Sequence, residues 1–263
     1  MTRPITLIFS LVFILFRNIS IAQDDLKLSE AKASEKDTQK LTVQSLDGKN
    51  QKVYIKPDYP NHILRITCQK DTINIPDYWG VPPNMRLMNI NFIKIEYEVR
   101  GGSNLGLGNM MVLCVNDNKL YEAMHVLRYV NSELSYAIDS VKYKGHSNYN
   151  IKVALNGDNK RNYRLNISIH DVVSSNFQPE ANYNYNNQTV LSFDAKRNVF
   201  FSVKENIYDN FTVLSLTGSK KHKQQLRGNF PVIILGRETY CFVENGWYEL
   251  GRNNELRGYT LRR

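Results

Sequence analysis

"MMVLCV", Met110–Val115, decides the fold. Six apolar residues stand in a row, and Asn116-Asp117-Asn118 ends them. That is too short for a useful helix. A short apolar run closed by turn residues reads as a strand covered on both faces. Such a strand lies in the middle of a sheet with a layer packed on each side.

Immediately upstream is "VRGGSNLGLGN", Val99–Asn109, with four glycines. A glycine-rich loop after a strand raises the question of phosphate binding. A phosphate cradle needs a helix starting at the loop, whose free N–H groups and dipole face the anion. None fits before the Asn-Asp-Asn turn. Asn109 and Met110 follow Gly108 where a P-loop needs Lys and Ser or Thr, and the third glycine of the dinucleotide fingerprint is missing. The glycines therefore read as a wide β-connection with a bulge at Gly101-Gly102.

Before the loop, "MNINFIKIEYEV", Met88–Val99, alternates as a long strand. Ile90, Phe92, Lys94, Glu96 and Glu98 share one face; Asn91, Ile93, Ile95, Tyr97 and Val99 share the other. Glu96 and Glu98 lie roughly 6–7 Å apart along the strand. Two such acids are candidates for glycosidic cleavage, one as acid and one as nucleophile. The Glu-x-Asp-x-x-Glu strand of some jelly-roll glycanases carries a third acid that is missing here, since Arg100 follows Val99. The favoured reading of Lys94, Glu96 and Glu98 is an exposed, charged face that solvates the sheet.

Downstream, "KLYEAMHVLRYV", Lys119–Val130, admits two readings. Leu120, Ala123, Met124 and Leu127 make a helical stripe, and Leu134, Ile138 and Val141 extend it. Asn-rich turns and abundant Tyr and Val favour strands across 119–142. Further out the period is plainly two. "YNIKVALNGDNKRNYRLNISI", Tyr149–Ile169, alternates on both sides of Asn156-Gly157. "LTVQSL" and "QKVYIK" flank Asp47–Asn50, "HILRITC" and "TINI" flank Gln69–Asp71, and Glu244-Asn245-Gly246 marks another tight turn.

Recurring turns and short strands define an all-β chain, antiparallel and β-sandwich-like. The expected organisation is two lobes: residues 41–173, a polar linker at 174–188, and residues 189–263. No repeat period runs along the chain, which excludes a propeller or solenoid reading.

The N-terminus predicts where the chain works. A basic start at Arg3 precedes the apolar run Ile5–Phe16, and Ser20 and Ala22 stand before a cut ahead of Gln23. This is the layout of a cleaved signal peptide over 1–22. The run is too short to span a bilayer, so no transmembrane anchor is expected after cleavage. Residues 23–40 read as a polar spacer or short helix. The protein is thus expected to be exported, to the periplasm, the cell surface or the extracellular space.

Export favours glycans, other envelope polymers and proteins as partners. The formal net charge is +9, of which Arg3 and Arg17 supply two. The densest basic cluster, Ser219–Gly228, lacks interleaved aromatics and reads as a solvated loop, so no nucleic-acid partner is expected. Cys68, Cys114 and Cys241 each share a strand face with an apolar neighbour and read as small buried hydrophobes. The five histidines form no paired motif, so neither metal nor cofactor is expected. His170 beside Asp171 lacks a nucleophile elbow and reads as a polar strand end.

The best functional cue is aromatic display. "PDYWGVPPN", Pro76–Asn84, is a proline-stiffened loop carrying Tyr78 and Trp79. "NYNYNN", Asn182–Asn187, alternates Tyr with amides, and Trp247 follows a tight turn. Flat rings stack on sugars or anchor proteins. Tyr78, Trp79 and Trp247 are therefore the candidate ligand-binding residues. The function expected first is an exported, non-enzymatic binder of a glycan polymer or partner protein. An envelope glycan hydrolase using Glu96 and Glu98 is the second possibility, and a structural or adhesive subunit the third.

Overall fold

A computed structural model describes residues 33–102, 104–138, 141–157, 162–202, 207–217, 220–251 and 256–257. The expected signal peptide and most of the spacer lie outside the described residues. The end of the spacer, 33–36, is a single helical turn, and Gln39 and Lys40 already belong to the first strand.

The described residues are nearly all antiparallel β, and neighbouring strands in each sheet follow sequence order. The first sheet is a meander of β1 (Gln39–Gln44), β2 (Asn50–Asp58), β3 (Ile63–Cys68) and β4 (Asp71–Ile75). The second has eight strands: β5 (Asn84–Leu87), β6 (Phe92–Val99), β7 (Leu105–Asn116), β8 (Lys119–Ile138), β9 (Val141–Asn156), β10 (Arg164–Ser175), β11 (Tyr183–Asp194) and β12 (Val199–Ser202). The third comprises β13 (Ile207–Thr217), β14 (Lys220–Leu235), β15 (Glu238–Val243), β16 (Gly246–Leu250) and β17 (Leu256–Arg257).

Turn chemistry explains the short connections. Asp117 and Asn118 both take positive φ between β7 and β8, as do Glu244 and Asn245 between β15 and β16. Two left-handed residues in a two-residue hairpin match the twist of the strands they join. The ambiguous 119–138 segment is strand, because β7 pairs it from Lys119 to Ser132 and β9 from Tyr129 to Ile138.

Strand β7 is the doubly covered strand its composition predicts. Met111, Leu113 and Val115 join Ile93, Ile95 and Tyr97 of β6 in a core shared with the first sheet through Val53, Ile55, Leu64 and Ile66. Met110, Val112 and Cys114 face a second core with Phe92, Leu165, Ile167, Leu191 and Phe200. Phe92 on β6 reaches Phe193 on β11 and Phe200 on β12, with ring centroids 5.2 Å apart in both pairs. The eight-stranded sheet therefore coils back over its own face. The third sheet joins the same core through Ile233, Leu235, Tyr240 and Trp247. The Ser202 hydroxyl of β12 accepts the Ile234 N–H of β14 at 3.0 Å.

Two expectations are corrected here. The stretch 174–188 is not a polar linker: Ser174 and Ser175 end β10, and Tyr183–Gln188 belong to β11. Six of the ten β10–β11 residue pairs fall on Tyr183–Gln188 and tie it into the sheet, so polar composition marks an open strand face rather than a break. The cluster Ser219–Gly228, expected as a loop, lies in β14 from Lys220 on, where Lys220–Arg227 pair with β13; Ser219 lies outside the described residues. Among the described residues no helix is long and apolar enough to cross a membrane.

Candidate functional site

The loop from β4 to β5 builds the most distinctive surface feature. Tyr78 bridges Val99 at the end of β6, its N–H donates to the His62 carbonyl (3.0 Å), and the Trp79 N–H donates to the Glu98 carbonyl (3.2 Å). Extended neighbours point to opposite sides. Tyr78 turns inward and is fully buried, stacked on Tyr59 at 5.8 Å. Its hydroxyl donates to the Val81 carbonyl. Trp79 turns outward and is 44% exposed.

Around the indole, distant segments converge. His62 closes the 3-10 turn Tyr59–Asn61 in the left-handed conformation, φ 54°. Its imidazole stacks on Trp79, 5.1 Å between centroids and 24° between planes. Tyr59 donates its hydroxyl to Asp37 Oδ2 at 2.7 Å, and its N–H donates to Ser34 Oγ at 3.2 Å. Burial and the Asp37 hydrogen bond push the Tyr59 phenol up to about 12, so it stays a donor at neutral pH. Asp37, Tyr59, His62, Trp79, Gly80 and Pro82 line a groove of about 320 Å³. The Arg100 guanidinium lies 5.2 Å from the Trp79 ring centre, within cation–π range.

Of the other aromatic candidates, Trp247 is buried, Tyr183 is half-buried and Tyr185 is exposed at the open face of β11. Trp247 is 7% exposed, and its indole N–H donates to the Glu122 carbonyl at 2.9 Å. In β11, Tyr183 donates to Asp171 Oδ1 at 2.8 Å and lies 3.8 Å beneath the Arg237 guanidinium. Tyr185 accepts from Asn187 Nδ2 at 2.6 Å. Amides dominate the neighbouring sheet face, where Asn148, Asn150, Lys152, His170, Asn186 and Gln188 line a shallow depression of about 610 Å³. It offers hydrogen bonds but no Tyr, Trp or Phe among its described lining residues.

The paired carboxylates are engaged by neighbours. Lys94 is only 4% exposed, and its ammonium holds Glu96 Oε1 at 2.6 Å. Glu98 Oε1 accepts the Tyr129 hydroxyl at 2.7 Å. The expected exposed charged face is thus corrected: Lys94 is covered, and its charge is matched within the sheet by Glu96. Neither carboxylate lines the Trp79 groove or the amide-lined depression.

At the glycine-rich connection, the strand β7 follows, as its length requires. The bulge is not at Gly101-Gly102. The β7–β8 register shifts between Gly108 and Asn109 and again between Val112 and Leu113, leaving Arg128 and Ala123 as extra residues on β8. Gly101 serves the turn itself, since a Cβ there would sit 1.9 Å from the Leu105 carbonyl oxygen.

All three cysteines are buried free thiols. Half-buried His125 sits between the Tyr97 hydroxyl (2.5 Å) and Glu122 Oε2 (3.1 Å), a contact set that sequence spacing did not suggest. Among the described residues no group of three or more His, Cys, Asp and Glu side chains is placed to hold a metal ion.

Sequence reasoning found Trp79 but missed Asp37, Tyr59 and His62. Pro60 in "DYPNH" was the available signal, since it starts the turn that presents Tyr59 and His62. Nothing local links Asp37 to them. Comparison with models of known protein families, with curated proteins and with solved structures returns no match to this chain.

Proposed function

We propose that this is an exported, non-enzymatic β-sandwich-like protein that binds a glycan chain through the Trp79 groove. The observation that carries the reading is the half-exposed indole, fixed by His62 in a groove that also holds Tyr59 and Asp37. Burying an aromatic ring against the apolar face of a sugar is favourable, and nearby polar groups set its orientation. A protein exposing this ring outside the cytoplasm meets glycans as its commonest flat, polymeric partners.

A glycan array probed with the mature chain tests the reading. Binding should fall by about 2 kcal/mol, roughly thirtyfold, in Trp79→Ala. Trp247→Phe should change folding stability and leave affinity alone. Undiminished binding by Trp79→Ala overturns the groove assignment. Mass spectrometry of the protein from its native host tests export independently: the mature chain should begin at Gln23.

A further inference from the structure

We infer that the sugar taken by the Trp79 groove carries a protonated primary amine, as in a de-N-acetylated amino-sugar residue. This rests on the groove being the glycan site. Three observations select the amine.

The first is charge. The chain as a whole is basic, formal net charge +9, yet among the described residues no Lys or Arg lines the groove and Asp37 is its one carboxylate. Asp37 is thus the full charge of the described lining, with the Arg100 guanidinium 5.2 Å from the outer indole, and a carboxylate beside the groove favours a cationic over an acidic sugar.

The second is the state of that carboxylate. Asp37 Oδ2 accepts the Tyr59 hydroxyl, which fixes the plane of the group. Oδ1 has no hydrogen-bond partner among the described residues. A half-buried carboxylate oxygen held in place beside a groove is suited to a charge-assisted hydrogen bond, which is shorter and stronger than a neutral one. A quaternary ammonium has no N–H to give it; a primary ammonium has three.

The third is the ring set. Trp79 and Tyr59 both line the groove, and π faces attract ammonium groups. Arg100, which lies over the Trp79 ring without lining the groove, shows that the indole already accepts a cation. The sugar ring stacks, and its ammonium lies between the aromatic faces and Asp37 Oδ1.

The test compares two oligosaccharides of equal length, one of glucosamine and one of N-acetylglucosamine. Calorimetry uses the full mature chain at about pH 6, where an amine of ordinary basicity is protonated. The glucosamine oligomer should bind about tenfold tighter, the scale of one charge-assisted hydrogen bond. Asp37→Asn keeps an acceptor for Tyr59 and removes the charge. It should abolish the preference while leaving affinity for the acetylated oligomer unchanged. Trp79→Ala should weaken both.

Equal affinities, or an Asp37→Asn loss that falls on both oligomers alike, overturn the amine proposal. The groove reading still stands if Trp79→Ala weakens both. If Trp79→Ala weakens neither, both readings fall. If neither oligomer binds, the amine proposal falls, and the wider array decides the groove.

Discussion

The Tyr129 ring lies directly across Gly108. A Cβ built on that glycine would fall 2.1 Å from Tyr129 Cε1. The two residues pair across β7 and β8 beside a register shift, and the Tyr129 hydroxyl continues over the sheet to Glu98. A glycine read from sequence as part of a wide β-connection is therefore a gap kept open for an aromatic ring.

Gly108→Ala should destabilise the fold by about 1–3 kcal/mol through overpacking. Gly102→Ala, where the added Cβ meets nothing within 4 Å, should stay within about 0.5 kcal/mol of the parent. Chemical denaturation gives both values. Adding Tyr129→Ala to Gly108→Ala should recover part of the loss, a coupling expected only if the ring is what the methyl strikes.

The Lys94–Glu96 pair predicts an asymmetry. Lys94 is the more deeply covered partner, with side-chain exposures of 5% and 18%. Glu96→Gln strands a buried ammonium and should cost about 3 kcal/mol. Lys94→Met leaves a carboxylate that still reaches solvent, and should cost clearly less. The double variant should return to within about 1 kcal/mol of the parent. Equal losses in the two single variants would refute the assignment of Lys94 as the desolvated member.

Thiol chemistry should report global unfolding. Burial pushes the Cys241 thiol up to about 12 and raises Cys114 still further; Cys68 is raised by burial and by the Asp71 charge. At about pH 8 the folded chain should resist alkylation, because the thiolate is the reactive form. Labelling of all three, followed by mass spectrometry in denaturant, should track the unfolding transition. Fast labelling of any one in native buffer would show a local opening at that strand.

Asp194 sets an acid-side dependence. Burial raises its pKa, but hydrogen bonds from the Arg197 side chain and from the Lys196 and Arg197 N–H groups outweigh it and leave the carboxyl below its ordinary 3.8. A depressed folded value adds stability that is complete above 3.8 and is lost as the pH falls through the folded value. The stability gap between the parent and Asp194→Asn should be full at neutral pH and shrink in acid. A gap independent of pH would assign the role of Asp194 to shape rather than charge.

Sequence alone determined the fold class and most of the hairpins. Alternation forces each strand to have two different faces, and turns such as Asp117-Asn118 carry their own backbone preference. Both are local properties. Met110–Val115 went further, since six apolar residues at period two require cover on both sides. The Ser174–Gln188 stretch misled because a strand with an open polar face has the composition of a linker.

The site belonged to the tertiary structure. Sequence put both Tyr78 and Trp79 on display, and only the bridge of Tyr78 to Val99 turns one ring inward and the other out. Lys94 and Trp247 became interior because other strands arrived to cover them, and residue type says nothing of that. Asp37 and Tyr59 meet across 22 positions, and Trp79 joins them through the ordering of β2, β3 and β6. Side-chain convergence of this kind is fixed by long-range strand pairing and packing, and the local pattern of the chain does not encode it.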